Sequence, residues 1–452
     1  MSKHLQQILA DFFHRHLDLS RPLLLALSGG PDSLALFYLL HQYREQHQLQ
    51  FAAAHIDHGW RDESAREAEH LQELAKEFNV PFHLKRLDPQ LIKGNLEAAC
   101  REERLKLFHA LSIERGYQAT VLAHHADDQA ETVLKRVLEG ADLPNLSGLQ
   151  EEACISGVKL WRPFLSISKL EIAKWLEEFG AEGFQDSTNL DFRFLRGRFR
   201  THIIPFLSKA FGKEITSSLN HVGMEAQELK DYLKDHLGSY FRGITKGPFG
   251  SLLDLSGVCP EHPFEIRYVI RELCRRENFF LSRACVDIIS ELVMENKSNR
   301  KIAMGGHTLY IDRRRVFVVH GVLQELSAGF MSLLVNGLVC GRWKVTVSTG
   351  EETLPNLTGW EALWKGRLEF SVPEGEYKLG LAHLKMSYPG EQSSLSKWWT
   401  NEKVPAFMRN IVPVIYEDGR IVHEFLSGRV MQERLECGKF VSRWMHIVLE
   451  AI

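Results

Sequence analysis

Three groups of residues in this 452-residue chain have the types and spacing to do chemistry. The first is Ser28-Gly29-Gly30-Pro31-Asp32-Ser33, set between the apolar runs Leu23–Leu27 and Leu34–Leu40. A glycine turn between a buried strand and a helix aims backbone N–H groups and the positive helix end at one point, which suits a phosphate. The string is not a Walker A loop, because no Gly-Lys-Ser/Thr closes it. Asp32 instead stands at the helix start, where a carboxylate can hold Mg²⁺ against phosphate oxygens. The second group is His124-His125-Ala126-Asp127-Asp128 with Glu131. Asp128 and Glu131 lie three apart and share one face of a helix beginning near Ala126. They either complement the helix dipole or meet a ligand. The third is Phe192–Arg200, with four arginines among three phenylalanines. Arginine suits phosphate and aromatic rings suit unstacked bases, so an RNA contact competes with an amphipathic helix start.

Two further patterns have plainer alternatives. His55-Ile56-Asp57-His58-Gly59 approaches the H-x-H-x-D-H of dinuclear hydrolases, but Ala53 stands where the first ligand should be. Such a site would also leave the Ser28–Ser33 loop without a purpose. Histidines that end a strand and bond locally explain His55, His58 and His125 equally well. Glu97, Arg101 and Arg104 stack at i, i+4 and i+7, where a solvated salt-bridge face is the alternative.

These residues need elements to hold them. Residues 3–17 read as an amphipathic helix, 51–56 as a buried strand and 62–78 as a charged helix. A short strand over 81–84, a helix over 95–114, a strand over 120–124 and a helix over 126–139 follow. The last helix is expected to turn Ala130, Val133, Leu134, Val137 and Leu138 inward. This alternation implies a doubly wound parallel sheet covered on both faces, an α/β fold. Ligands in such sheets lie beyond the carboxyl ends of the strands, at the topological switch point. Ser28, His55 and His124 each fall at the end of an expected strand, which puts all three in one cleft.

The chain is too long for one core. A first domain over 1–210 is followed by a mainly helical one over 211–325, with a basic hairpin near Leu309–Val319 that carries Arg313, Arg314 and Arg315. A small α+β domain over 340–452 is expected to end in a helix near 440, with Trp398 and Trp399 exposed. The net charge of −3 means that any nucleic-acid contact must use local basic clusters. Seven scattered cysteines without a C-x-x-C pair indicate reduced thiols rather than zinc or disulfides. Met1–Leu5 holds no signal-peptide core and no apolar run approaches a membrane span, so a cytoplasmic protein without a membrane partner is expected.

The string Ser28–Ser33 resembles the PP-loop of the ATP-pyrophosphatase superfamily. Further motifs narrow the likeness: His55-Ile-Asp-His-Gly-Trp-Arg61, Asn95-Leu-Glu-Ala-Ala-Cys-Arg101-Glu-Glu-Arg104, His124-His-Ala-Asp-Asp-Gln-Ala-Glu131-Thr132, Asp186-Ser-Thr-Asn189 and Arg196-Gly-Arg198-Phe-Arg200. With Lys397-Trp-Trp-Thr-Asn-Glu-Lys403-Val-Pro405 through Arg409, they resemble the tRNA(Ile)-lysidine synthetase family. The match is dense over the first 210 residues and sparse over the last 60. Trp60, Leu105 and Gly197 depart from the residues usual there.

The resemblance implies conversion of the wobble cytidine of a CAU anticodon to lysidine with ATP and free L-lysine, which changes decoding from AUG to AUA. The cytosine C2 oxygen must be adenylated before it can leave as AMP, and the charge that builds up calls for Mg²⁺ and arginines. Lysine must attack as the neutral amine, which costs about 4–5 kcal/mol at pH 7, so a carboxylate base helps. By this likeness Ser28, Gly29, Gly30, Pro31, Asp32, Ser33 and His55 bind ATP, with Asp32 on Mg²⁺. Arg104 and Arg196 stabilise charge, while Asp128 and Glu131 hold the lysine ammonium or take its proton. Arg198, Arg200, Lys397, Lys403 and Arg409 contact tRNA(Ile). The C-terminal domains then select the tRNA, their alternative role being to cap the catalytic domain or stabilise a homodimer. A tRNA thiolase of the same superfamily would need a catalytic cysteine, and only Cys100 lies in a motif, on an apolar helical face. A non-catalytic RNA-binding protein would have no need of Asp32, Asp128 and Glu131.

Overall fold

The computed structural model describes residues 2–59, 62–88, 96–181, 195–304, 306–323, 325–326, 329–333, 338–382, 394–428 and 443–452. It divides into two compact units, Met1–Tyr232 and Leu233–Ile452. The breaks expected from the sequence, at 210 and between 325 and 340, differ from this division.

In the first unit, α1 (Ser2–His16) precedes β1 (Leu23–Ala26), α2 (Pro31–His47), β2 (Phe51–Asp57), α3 (Asp62–Glu77), β3 (Phe82–Arg86), α4 (Leu96–Arg115), β4 (Thr120–Val121) and α5 (Ala126–Leu138). An antiparallel hairpin, β5 (Glu152–Ile155) and β6 (Val158–Trp161), leads to α6 (Lys169–Phe179). The six strands lie in the order β3-β2-β1-β4-β6-β5, all parallel except β5. Successive strand residues face opposite sides, so the apolar run splits between two cores. Leu23, Leu25 and Ala53 join the core that contains Phe12, Phe37 and Trp175, whereas Leu24, Ala52 and Ala54 join Phe108 and Leu111. Burial on both faces is why these strands are continuously apolar.

The order of strand addition reverses between the parallel strands β1 and β4, since β2 and β3 lie on one side and β6 on the other. The loops after β1 and β4 therefore flank the switch point. His55 lies inside β2 rather than at its end. On α5, Ala130, Val133 and Leu134 are buried, but Val137 and Leu138, in its last turn, are exposed. After α6 come α7 (Leu195–Arg198), a π-helical turn at Phe199–Ile203, α8 (Ile204–Phe211) and α9 (Ile215–His236).

The expected helical middle contains more than helices. Besides α10 (Gly238–Arg242), α11 (Pro263–Arg276) and α12 (Arg283–Met294), a five-stranded antiparallel sheet runs β7-β8-β11-β10-β9. Its strands are β7 (Ile244–Gly247), β8 (Gly250–Asp254), β9 (Arg300–Met304), β10 (His307–Asp312) and β11 (Arg315–His320). Arg313 and Arg314 form the two-residue turn of the β10–β11 hairpin, both at positive φ as a type I′ turn demands. Two four-stranded sheets complete the unit, with the short helices α13 (Trp360–Trp364) and α14 (Leu395–Asn401). One runs β12 (Phe330–Ser332), β16 (Lys378–Gly380), β17 (Val414–Glu417), β18 (Arg420–His423), and the other β13 (Leu338–Cys340), β14 (Trp343–Gly350), β19 (Trp444–Ala451), β15 (Arg367–Pro373). Phe249, Leu252 and Phe317 of the five-stranded sheet share one core with Trp343, Trp364, Trp399 and Leu449. The expected middle and C-terminal domains are thus built round a common interior. The helix expected near 440 lies outside the described residues, and the last element is β19 (Trp444–Ala451).

Candidate active site

Ser33 organises the loop after β1. Its buried hydroxyl accepts the Ser28 and Gly29 N–H groups at 3.2 and 3.1 Å and donates to the Gly30 carbonyl at 2.9 Å. Gly29 sits at φ 89°, a conformation that glycine adopts without strain. Pro31 then opens α2 with its φ already helical, and Asp32 stands in the first turn. The Asp32 Oδ1 atom is buried and bonded to no group among the described residues, while Oδ2 lies 3.6 Å from His125 Nε2. His55, buried in β2, donates from Nδ1 to the Leu27 carbonyl at 2.8 Å, which leaves Nε2 as the acceptor.

A row of alternating charge leads from this loop along α5. The buried His125 has Asp32, Asp127 and Asp128 within 3.4–3.6 Å. Burial works against its charge, but the close carboxylates of Asp127, Asp32 and Asp128 outweigh it and raise the imidazole to about 9. The Asp128 carboxylate accepts the His125 backbone N–H at 3.1 Å and Arg200 Nη2 at 2.9 Å. Arg200 Nε donates to Glu131 at 2.7 Å, so one guanidinium spans both carboxylates. The two acids respond in opposite senses. Burial opposes ionisation of Asp128, yet the charges of His125 and Arg200 hold it below its usual range; at Glu131 burial prevails over Arg200 and lifts the carboxyl. On the other side of the row, Arg162 donates to His124 Nδ1 at 3.1 Å and to the Gln150 carbonyl at 2.6 Å. Burial, with Arg162, Arg196 and Arg104 close by, keeps His124 neutral.

Residues 1–207 match the PP-loop domain family. A tRNA(Ile)-lysidine synthase from Protochlamydia amoebophila is 38% identical over 430 residues, covering 94% of this chain and 93% of that protein. The chain belongs to the tRNA(Ile)-lysidine synthase family. A member from Chlamydia muridarum is 33% identical over 68% of this chain and 95% of its own length. Among solved structures, a U34-tRNA thiolase from Methanococcus maripaludis is 20% identical, with a TM-score of 0.41 over 50% of this chain and 78% of that one. That likeness bears on neither chemistry nor partner.

In this member of the lysidine synthase family, Ser28–Ser33, Asp32, Asp128, Glu131 and Arg200 fall along one stretch of the first unit. Arg104 is exposed on α4 and Arg196 half-buried on α7, near enough for their charges to bear on His124. Arg198 is exposed. Arg200, grouped by sequence with the RNA-facing arginines, instead holds the acids, because α7 and the π turn aim it at α5. Arg61 and Asp186–Asn189 lie outside the described residues, as does Phe192–Phe194. Arg162, which belongs to none of the sequence motifs, had one available signal: a cation directly after the apolar strand Val158–Trp161, at the carboxyl end of a parallel strand.

The second unit places its candidates differently from expectation. Lys397 and Lys403 are exposed, but Trp398 and Trp399 are 6% and 0% exposed. The Trp399 indole N–H is bound by the buried Glu424 carboxylate at 2.6 Å. The Arg409 guanidinium is turned inward to the Val404 carbonyl and Thr400 hydroxyl at 2.9 and 3.2 Å. Arg315 is buried against Asp312 at 3.0 Å and over the Trp360 ring. Cys100 is buried on α4 and its thiol pushed up by burial, which suits packing rather than sulfur chemistry. Among the described residues, no group of three His, Cys, Asp or Glu is arranged to hold a metal, and no helix is long and apolar enough to cross a membrane.

Proposed function

We propose that the protein adenylates the wobble cytidine of a CAU-anticodon tRNA(Ile) with ATP and joins free L-lysine to C2, releasing pyrophosphate and AMP. The reading rests on family membership across nearly the whole chain. The single structural observation that carries it is the pair of buried carboxylates on α5 that already holds a cation.

The ATP phosphates bind beside the Ser28–Ser33 loop, at the positive end of α2. The unpartnered Oδ1 of Asp32 fits Mg²⁺, which keeps most of its shell as water and phosphate and needs only one or two carboxylates. When bound, that ion supplies charge neutralisation on the phosphates. Arg104 and Arg196 stabilise the leaving AMP. Asp128, held ionised, keeps the lysine side chain in place, and Glu131, whose burial makes it the more basic of the two, takes the proton from the attacking amine. Environments that push two neighbouring carboxyls apart are how one site provides an anion and a base. ATP, free lysine and tRNA meet in the cytoplasm, where we place the protein.

Incubation of purified protein with a CAU-anticodon tRNA(Ile) transcript, ATP, Mg²⁺ and labelled lysine tests this. Label should enter the tRNA with one AMP formed per lysine. Adenylation without lysine incorporation, or sulfur in the product, would overturn it.

A further inference from the structure

Glu131 and Asp128 hold a cation that the chain itself supplies, Arg200. The Arg200 side chain is 27% exposed, whereas those of Asp128 and Glu131 are 13% and 4% exposed. The guanidinium therefore sits at the mouth and the carboxylates beneath it. Any ligand that reaches both acids from solvent must take the place of the arginine.

The segment that carries Arg200 has an irregularity suited to movement. Phe199–Ile203 is a π-helical turn, closed by an i→i−5 bond from the Ile204 N–H to the Phe199 carbonyl. Pro205 follows directly, and a proline has no N–H with which to close the ordinary bond back to Thr201. A π turn holds one residue more than an α turn, and such turns are frequent at functional sites. A small change in its winding re-aims Arg200 without unfolding the helices on either side.

We infer that Arg200 is an internal occupant of the lysine-ammonium site, displaced when the substrate binds, so that the site's own arginine competes with lysine for the two acids. The inference rests on the proposed use of lysine. Replacing guanidinium by ammonium conserves charge around two buried acids. A neutral side chain would leave both acids without a counter-charge, so it cannot complete the exchange. Once out, Arg200 lies at the rim with Arg198, available to a phosphate.

The exchange predicts that Arg200 weakens lysine binding. If the guanidinium fills the site for more than about nine-tenths of the time, apparent affinity is lowered about tenfold. Titration calorimetry of the full chain with L-lysine at pH 8, without tRNA, should show tighter binding by about that factor in Arg200→Gln. Norleucine, with the same carbon chain but no ammonium, should bind neither protein. Equal or weaker lysine binding by a folded Arg200→Gln variant would overturn the inference. Should that variant fail to fold, ¹⁵N-arginine spectra of the unaltered protein decide the matter. The Arg200 Nε–H, held at 2.7 Å on Glu131, should lose its bonded shift as lysine is added; an unmoved resonance at saturating lysine would overturn it. Labelled-lysine incorporation by the unaltered protein alongside either negative result would leave the proposed reaction standing and remove only the exchange.

Discussion

Asp128 and Glu131 share one guanidinium and three residues of helix, yet their carboxyls move in opposite directions. The cause is position. Asp128 faces His125 and the helix start, where positive charge and a backbone N–H gather; Glu131 lies one turn deeper, with burial its largest influence. Removing Glu131 should therefore harm proton removal more than adenylation. In Glu131→Gln, lysine transfer should fall about 10²–10⁴-fold, the usual range for removal of a general base. Lysine-independent adenylated tRNA should persist and accumulate. Separate assays of the two steps check this, and equal loss of both would show that Glu131 acts on ATP. The acid limb of lysine transfer should lie above the ordinary carboxyl range, since Glu131 is raised, and should vanish in the variant. Asp32→Asn has the opposite signature. It should leave the fold intact and abolish pyrophosphate release, because the missing charge faces the phosphates; retained adenylation would refute the assignment.

At the scale of elements, what is legible in the sequence follows from how local each signal is. The strand-turn-helix around Ser28 is readable because the buried run, the glycines and the helix start are contiguous. The carboxylate pair is readable because helical spacing alone puts Asp128 and Glu131 on one face. Arg200 is not, since nothing local says that the π turn will send it back 69 residues to Glu131. The five-stranded sheet escapes sequence reading for a similar reason: β7 and β8 are short and glycine-bounded, and their hairpin joins a sheet only where β8 pairs with the distant β11. Trp398 and Trp399 look exposed because lysines flank them, although a helix can bury one face and expose the other. His423, at the end of β18 (Arg420–His423), shows what burial in this core costs. Its ring is stacked on Phe370 with centroids 3.4 Å apart, neither nitrogen has a partner among the described residues, and burial depresses it to about 3. The unfolded chain takes up a proton as pH falls below about 6.5 and the folded one does not, so stability is lost from there downward. At pH 5 this amounts to about 2 kcal/mol. Denaturant unfolding at pH 7.5 and 5.0 should show the gap between the two shrink by about that much in His423→Leu. An unchanged gap would mean that His423 is protonated in the folded protein.

The whole molecule carries a net charge of −3 and yet, on the proposed reading, holds an RNA. Phosphate contacts need cations, and each one adds to the salt dependence of binding. In the first unit Arg200 is engaged by the two carboxylates. Selecting one tRNA among those with similar anticodon loops requires further contacts, because a single base-edge contact discriminates by only about 1–3 kcal/mol. In the second unit Arg315 and Arg409 are committed to internal bonds, which removes them from the basic cluster that the sequence suggests. Lys397 and Lys403 stay exposed, on α14 (Leu395–Asn401) and the turn after it. We therefore propose that these two lysines carry tRNA contact for the second unit, with the buried tryptophans fixing their scaffold. The double variant Lys397→Glu/Lys403→Glu should retain ATP binding and the thermal stability of the parent. Its affinity for tRNA(Ile) should fall about tenfold or more at low salt. The slope of log affinity against log salt should become shallower by about 0.9 for each phosphate that is no longer neutralised, up to about 2 for the pair. Filter binding across a salt series separates this from a folding defect, which would lower affinity at every salt concentration without changing the slope. An unchanged slope and affinity would remove both lysines from the RNA interface and leave tRNA selection to other residues of the chain.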